Sequence, residues 1–356
     1  MAFTDIDNSE LYFQTKLYTG NGTAIGSGGL AVTLDGDEDM QPDLVWIKNR
    51  DGTDWHDLYD SVRGVTKRIY SNSDYAEGTQ AEGLTAFGTN GFTVGNSGDV
   101  NTNTNKHVAW NWKAGTSFSN DASATSIGTI DSSGSVNTDA GFSICSFTGN
   151  DTAGATVAHG LGAIPKMIIL KSKNSTDLWF VQHTSLGATK FLRLNDTDAS
   201  TTQTNVWNDT TPTSSVFSLG SGSGTNGSSN NFIAYCFAEK QGYSKFGSYI
   251  GNGNTDGTFV YTGFRPAFVM AKGTTTGDPG SWIIYDNKRL GYNDDNNQLY
   301  ADLTNAEGTD DAALLSNGFK WTANTGDPNT SGKIYTYMAF AEAPFVNSNG
   351  VPNNAR

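Results

Sequence analysis

Cysteine, histidine and basic charge are scarce in this 356-residue chain. It has two cysteines, Cys145 and Cys236, and four histidines, His56, His107, His159 and His183. None of the six stands at a metal-ligand, redox-pair or triad spacing, so no metal site and no cofactor is expected. Both cysteines lie in apolar runs and read as small buried hydrophobes. His159 precedes Gly160-Leu161-Gly162, where it caps or packs a sharp turn. The chain has neither a Gly-x-Ser-x-Gly elbow nor a phosphate-binding glycine loop opening a helix, so it is not expected to be an enzyme and no catalytic residue is assigned. A glycosidase needs only two acids about 5–9 Å apart, and 36 Asp and Glu residues leave an accidental pair open. No acid lies in a distinctly apolar setting that would raise its pKa. Only 22 Lys and Arg offset those acids, a net charge of −14. Phosphate binding needs clustered cations, so nucleic acid and anionic membranes are disfavoured as partners. No apolar run nears the ~20 residues of a spanning helix, so no membrane insertion is expected. Residues 1–8 lack a basic, apolar leader.

Glycine is abundant, at 42 residues, and Ser, Thr, Asn and Asp crowd the gaps between apolar runs. That balance predicts many short strands joined by turns. One pattern occurs three times: Pro42-Asp43-Leu44-Val45-Trp46-Ile47-Lys48, Pro165-Lys166-Met167-Ile168-Ile169-Leu170-Lys171 and Pro266-Ala267-Phe268-Val269-Met270-Ala271-Lys272. Proline has no N–H and suits a strand's first residue. The run after it is apolar on both alternating faces, as in a strand covered on both sides. Other landmarks keep step: His56, Trp179 and Trp282; a glycine soon after (Gly64, Gly187, Gly291); Phe92, Phe217 and Phe319; and aromatic strands ending at Trp112, Phe237 and Phe340. From proline to last aromatic the separations are 70, 72 and 74. The expected fold is all-β, with three tandem antiparallel β-sandwich repeats of lectin-like or jelly-roll-like architecture.

The expected boundaries are an N-terminal arm, 1–16, read as an attachment arm or merely an edge strand; repeat one, 17–114; a flexible polar linker, 115–140; repeat two, 141–241; repeat three, 242–345; and a frayed tail, 346–356. The short second junction predicts tighter coupling of repeats two and three than of one and two. Repeat one carries an acidic insertion, Asp35-Gly36-Asp37-Glu38-Asp39, which reads as a solvated loop, with a calcium ion as the alternative. Ala76-Glu77 and Ala306-Glu307 match in two repeats, and Ala199-Ser200 replaces them in the middle one. Trp46, Trp110, Trp112, Trp179 and Trp282 sit on shared strands and are expected in the core. Trp55, Trp207 and Trp321 fall outside the shared pattern. Trp207 and Trp321 are the candidate receptor-binding residues, because aromatic faces flanked by polar groups suit sugar rings.

Several motifs resemble a domain family of unassigned function in virion proteins of marine bacteriophages, cyanophages and pelagiphages. They include Gln41-Pro42-Asp43-Leu44-Val45-Trp46-Ile47-Lys48-Asn49-Arg50, Asp60-Ser61-Val62-Arg63-Gly64, Ala109-Trp110-Asn111-Trp112-Lys113-Ala114-Gly115, Ala234-Tyr235-Cys236-Phe237-Ala238-Glu239 and Met338-Ala339-Phe340-Ala341-Glu342. The resemblance covers nearly all of 17–345. It implies a virion structural protein, a tail fibre or surface adhesin that contacts a host envelope glycan or receptor. It also implies assembly with other virion proteins in the host cytoplasm and a homo-oligomer, trimeric by analogy with fibres. In a reducing cytosol the cysteines stay free. The rival expectations are a capsid decoration or tail-assembly protein without a receptor, and a polysaccharide depolymerase. The arm would anchor the chain to the virion.

Overall fold

Each proline-to-lysine run becomes a central strand of a large antiparallel sheet. The computed structural model describes residues 4–275, 280–289, 296–310, 312–322 and 328–352; Gly291 lies outside the described residues. The first large sheet has the order β1 (Phe13–Thr19), β9 (Lys106–Trp112), β3 (Leu44–Asn49), β4 (His56–Asp60), β5 (Lys67–Tyr70), β6 (Gly78–Thr79). The second runs β10 (Thr116–Asn120), β11 (Ser132–Asn137), then, in the order of the first sheet, β12 (Phe142–Thr148), β19 (Asn231–Ala238), β14 (Pro165–Ser172), β15 (Phe180–His183), β16 (Lys190–Arg193), β17 (Thr201–Thr202). The third runs β20 (Ser244–Ile250), β28 (Ile334–Pro344), β22 (Phe264–Gly273), β23 (Ile283–Asp286), β24 (Asn296–Tyr300), β25 (Gly308–Asp310). Beyond β10 and β11, all three orders follow one connectivity. Pro165 opens its strand, Pro42 stands two residues ahead of one, and Pro266 sits inside its strand at a register shift.

A small sheet accompanies each large one. These are β2 (Leu30–Thr33), β8 (Gly91–Val94), β7 (Leu84–Gly88); then β13 (Ala155–Ala158), β18 (Val216–Leu219); then β21 (Phe259–Tyr261), β27 (Gly318–Trp321), β26 (Ala312–Leu315). In the second, a helical turn, Thr204–Trp207, stands where the others have a third strand. Each large sheet and its small partner form one sandwich unit.

The two-faced apolar pattern now has its cause. Alternate side chains of each central strand enter different cores. Val45 and Ile47, Ile168 and Leu170, and Val269 and Ala271 face the small sheet of their own unit. Leu44 and Trp46, Met167 and Ile169, and Phe268 and Met270 all enter a single shared core. Trp110, Trp112, Trp179, Phe237, Trp282 and Phe340 fill it, so the shared-strand tryptophans are buried as expected.

The seams between units repeat as well. Trp179 of the second unit donates its indole N–H to the carbonyls of Tyr70 (2.8 Å) and Ser73 (3.1 Å) in the first. Trp282 of the third donates to the Arg193 carbonyl of the second at 2.7 Å. His56 of the first meets the Tyr300 backbone of the third. The Glu77, Ser200 and Glu307 N–H groups donate to the Lys173, Thr274 and Arg50 carbonyls of the next unit, at 2.8, 3.2 and 2.8 Å. First joins second, second joins third and third joins first, so the contacts close into a ring.

Two of the lysines ending the motif, Lys171 and Lys272, serve this ring. Lys48, Lys171 and Lys272 are buried, and their ammonium groups donate to loop carbonyls. Lys171 also reaches the Asp74 carbonyl of the first unit, at 3.2 Å, and Lys272 the Asp196 carbonyl of the second, at 3.3 Å. Burial lowers Lys48 and Lys171 to about 8.

Four boundary expectations need correction. Residues 115–140 are not a flexible linker: β10 (Thr116–Asn120) and β11 (Ser132–Asn137) extend the second sheet beside β12. Residues 1–16 follow the edge-strand alternative and not a detached arm: residues 13–16 begin β1 at the edge of the first sheet, Ile6 and Phe13 enter the shared core, and the Asp5 N–H bonds the Gln241 carbonyl at 3.0 Å. The tail folds back, with Ser348 N–H donating to Asp7 at 2.7 Å and Val346 bridging Pro352; residues 353–356 lie outside the described residues. Unequal coupling is replaced by a ring with the same backbone bond at every seam.

Candidate functional site

The three units serve as an internal comparison, because their registers fix equivalent positions. Asp57 pairs with Tyr70 across β4–β5, Phe180 with Arg193 across β15–β16, and Ile283 with Tyr300 across β23–β24. Asp57, Phe180 and Ile283 are therefore equivalent. So are Arg68, Phe191 and Gln298, two residues ahead of the partner. Asp99 and Gly224 are the second residues of matching helical turns, Gly98–Asn101 and Ser223–Asn226.

In the second unit these positions hold an apolar cluster. The Phe180 and Phe191 rings lie 5.3 Å apart. Gly224 leaves room for Phe180; a Cβ there would stand 2.6 Å from the Phe180 ring. The first unit puts Asp57, Arg68 and Asp99 in the same place. Arg68 Nη1 is 3.0 Å from Asp99 Oδ2 and 3.8 Å from Asp57 Oδ2. The Tyr59 hydroxyl donates to Asp57 Oδ2 at 2.8 Å. Asp57 is fully buried and its Oδ1 has no hydrogen-bond partner. Burial, and next the neighbouring Asp99, push Asp57 up to about 7. Burial raises Asp99 too, with Arg68 opposing it. A buried unpartnered carboxylate oxygen costs stability, of the order of 1–3 kcal/mol. The sister unit shows that the fold does not require it.

Aromatic rings sit above this charge. The Arg68 guanidinium lies 4.9 Å from the centre of the Tyr70 ring. Trp55 packs between Tyr70, at 4.9 Å, and Tyr75, at 5.6 Å and near-parallel. Tyr75 is 55% exposed and Trp55 half-buried. The Trp55 N–H donates to Asp99 Oδ1 at 3.3 Å, which ties the aromatic stack to the charged cluster. The loop carrying Tyr75 is held by the second unit through Trp179 and Lys171. The result is an aromatic face bordered by a guanidinium and carboxylates. It can stack on the CH face of a ring and bond hydroxyls at its rim.

The candidate receptor residues lie elsewhere, and that expectation is corrected. Trp207 and Trp321 are each only 1% exposed. Trp207 packs edge-on against Phe217, and Trp321 against Tyr285 and Phe319. Neither offers a face to a sugar. Their polar neighbours lie on turns while the indoles fold inward. Of the three tryptophans outside the shared pattern, Trp55 alone reaches the surface. The expectation that no acid sits in a pKa-raising setting also fails, for Asp57 and for Asp302, which burial raises to about 6. The signal was present: position 57 is apolar in the other two copies. His159 does cap its turn, accepting the Leu161 N–H at 3.2 Å. The acidic insertion is tied to β1 by Asp35–Lys16, at 3.1 Å, and by Gln14. Among the described residues no cluster of His, Cys, Asp and Glu is placed to hold a metal ion, and no helix is long and apolar enough to cross a membrane.

Residues 8–344 match the family described as a domain of unknown function, DUF7483, and the chain belongs to that family. No curated protein and no solved structure matches it significantly.

Proposed function

We propose that this member of DUF7483 is a phage virion protein, a tail fibre or surface adhesin, whose Trp55–Tyr70–Tyr75 face binds host envelope glycans. The observation that carries the glycan-binding reading is the exposed aromatic stack beside a charge cluster that the sister unit replaces with phenylalanines. The phage assignment rests on the motif resemblance alone. Assembly with other virion proteins, and with further copies of this chain, belongs to the same proposal, as does location in the virion.

The test is a glycan array and a host-cell adhesion assay with the wild type, Trp55→Ala and Tyr75→Ala. Binding should fall by roughly 2- to 13-fold in either variant, given ~0.5–1.5 kcal/mol for an aromatic contact beyond its buried area. The urea midpoint of Tyr75→Ala should hold, because that ring is exposed. Reducing ends should not accumulate on host polysaccharide. Absence of adhesion by the purified protein, with normal adsorption of virions lacking it, would favour a decoration protein instead.

A further inference from the structure

A cavity of about 370 Å³ opens where the second unit passes into the third, lined by Glu239, Gln241, Ser244, Lys245, Tyr261 and Phe345 among others. It is at the lower end of small-molecule pockets, ~300–1,000 Å³. We propose that it is a second carbohydrate site, built for a neutral oligosaccharide end of about disaccharide size. The choice of ligand class rests on the glycan-binding reading above; the existence of the site does not.

The internal comparison shows why the space is open. Val157 pairs with Phe217 as Val260 pairs with Phe319, so Gly160 corresponds to Gly263, which lines the cavity two residues after Tyr261; both glycines have positive φ. In the second unit the Phe118 ring covers Gly160; a Cβ there would come 3.3 Å from that ring. Phe118 belongs to β10, in the 115–140 extension that covers the second unit's edge. The third unit has no such extension among its described residues. Its β20 and β21 are edge strands, and Tyr261 projects 59% exposed at the cavity mouth. An aromatic ring thus fills the place in one copy and borders open space in the other.

The lining selects the ligand. Glu239 and Lys245 neutralise each other at 2.8 Å, so a charged ligand would find no countercharge in that pair. The rim offers amide, hydroxyl and ammonium groups around the Tyr261 and Phe345 rings, which suits a hydroxyl-rich ring with an apolar face. A β-strand partner fits less well. Two edge groups it would need are taken: the Phe246 N–H donates to Glu239 at 3.3 Å, and the Ile250 carbonyl accepts from Thr258 at 2.6 Å.

The full chain, Tyr261→Ala, Lys245→Gln and the Trp55→Ala/Tyr75→Ala double variant would be compared on an array of neutral and acidic oligosaccharides. A synthetic peptide of residues 132–137 would be titrated in parallel. The expected result is a neutral oligosaccharide signal that survives in the double variant and weakens by roughly 2- to 13-fold in Tyr261→Ala, as loss of one aromatic contact predicts. The urea midpoint of Tyr261→Ala should stay unchanged. No Tyr261-dependent signal, or one confined to acidic glycans, would overturn the second site. So would saturable peptide binding to β20 without sugar binding. Loss of the Trp55-dependent signal alone would sink the first site and leave this one standing.

Discussion

His183 makes the stability of the ring depend on pH through one seam. It lies at the end of β15, fully buried between the second and third units. Its Nε2–H donates to the Tyr337 carbonyl at 3.0 Å, and its Nδ1 accepts the Ser185 N–H at 3.2 Å and the Thr336 hydroxyl at 2.6 Å. A hydroxyl can rotate away, but a backbone N–H cannot. Protonating Nδ1 would set a proton against the Ser185 N–H, in a site sealed from water. Burial accordingly lowers His183 from its ordinary 6.5 to about 4. His159 has the same arrangement and is lowered to about 4, as is His107. The unfolded chain therefore takes up these protons first. The stability is fully present above pH 6.5 and is lost as pH falls toward 4. Between pH 7 and 4.5 each such histidine costs roughly 2.4 kcal/mol at 1.36 kcal/mol per pKa unit. Asp57 and Asp302 act oppositely, since their raised values let the folded chain bind protons first; over the same interval they return roughly 3 and 2 kcal/mol. The wild-type curve mixes both effects, so His183→Asn is the informative comparison. Urea unfolding followed by tryptophan fluorescence, from pH 7 to 4.5, should show the wild type losing roughly 2.4 kcal/mol more than the variant. Parallel curves, within about 0.5 kcal/mol, would refute the assignment of a neutral, locked imidazole.

Other expectations follow from burial. Trp207→Ala or Trp321→Ala should lower stability by about 3–5 kcal/mol in denaturant melts, rather than leave folding intact. Deleting residues 1–16 should abolish cooperative unfolding, because Ile6 and Phe13 alone bury side chains worth roughly 3–6 kcal/mol; a truncated chain with an unchanged melt would restore the attachment-arm view. Lys171→Met strips the Asp74, Ser172 and Ser175 carbonyls of their donor, and should cost roughly 3 kcal/mol by thermal or urea melt. Cys145 and Cys236 are free and buried, with Cys145 raised to about 12 by burial, so a thiol reagent should find both only after denaturant is added.

The strands were legible because their physics is local. Proline at or near a strand start, an apolar run on both faces and a lysine six residues on mark β3, β14 and β22 without reference to anything distant. What the outer face of each strand packs against was also legible in kind. That all three inner faces share one core was not, since no single repeat records the other two. Residues 115–140 misled because the solvent face of an edge strand and a linker have the same Ser, Thr, Asp and Gly composition; Phe118, Ile130 and Val136 are the hints of burial. Trp207 and Trp321 misled for a related reason. Sequence neighbours report the environment of the turn, and the indole reaches several ångströms away from it. Asp57 does not stand out against its own sequence neighbours; its counterparts Phe180 and Ile283 are what mark it.

Differences between counterparts fall into two kinds, and the distinction bears on function. At one seam Asp60 accepts the Tyr235 hydroxyl at 2.7 Å and pairs with buried Arg63 at 2.5 Å. At another Asp286 accepts the Trp110 indole N–H at 2.9 Å and pairs with buried Arg289 at 2.6 Å. At the remaining seam the donor's place is held by Met338, which has none to offer. There the aspartate is His183, which turns to a backbone carbonyl, and the arginine is Leu186. A buried carboxylate left with its arginine but without its donor would be under-satisfied, so all three positions differ together. That is a compensated difference: each version closes its own hydrogen bonds and holds the ring. Asp57, Arg68 and Asp99 differ from Phe180, Phe191 and Gly224 without such closure, because Asp57 Oδ1 keeps no partner and the cluster supports an exposed aromatic stack. Stability alone would favour the phenylalanine version, in which Phe180, Phe191 and Gly224 themselves bury no polar side chain. A cost carried by one unit and avoided by its sister marks the place where something other than folding sets the residues.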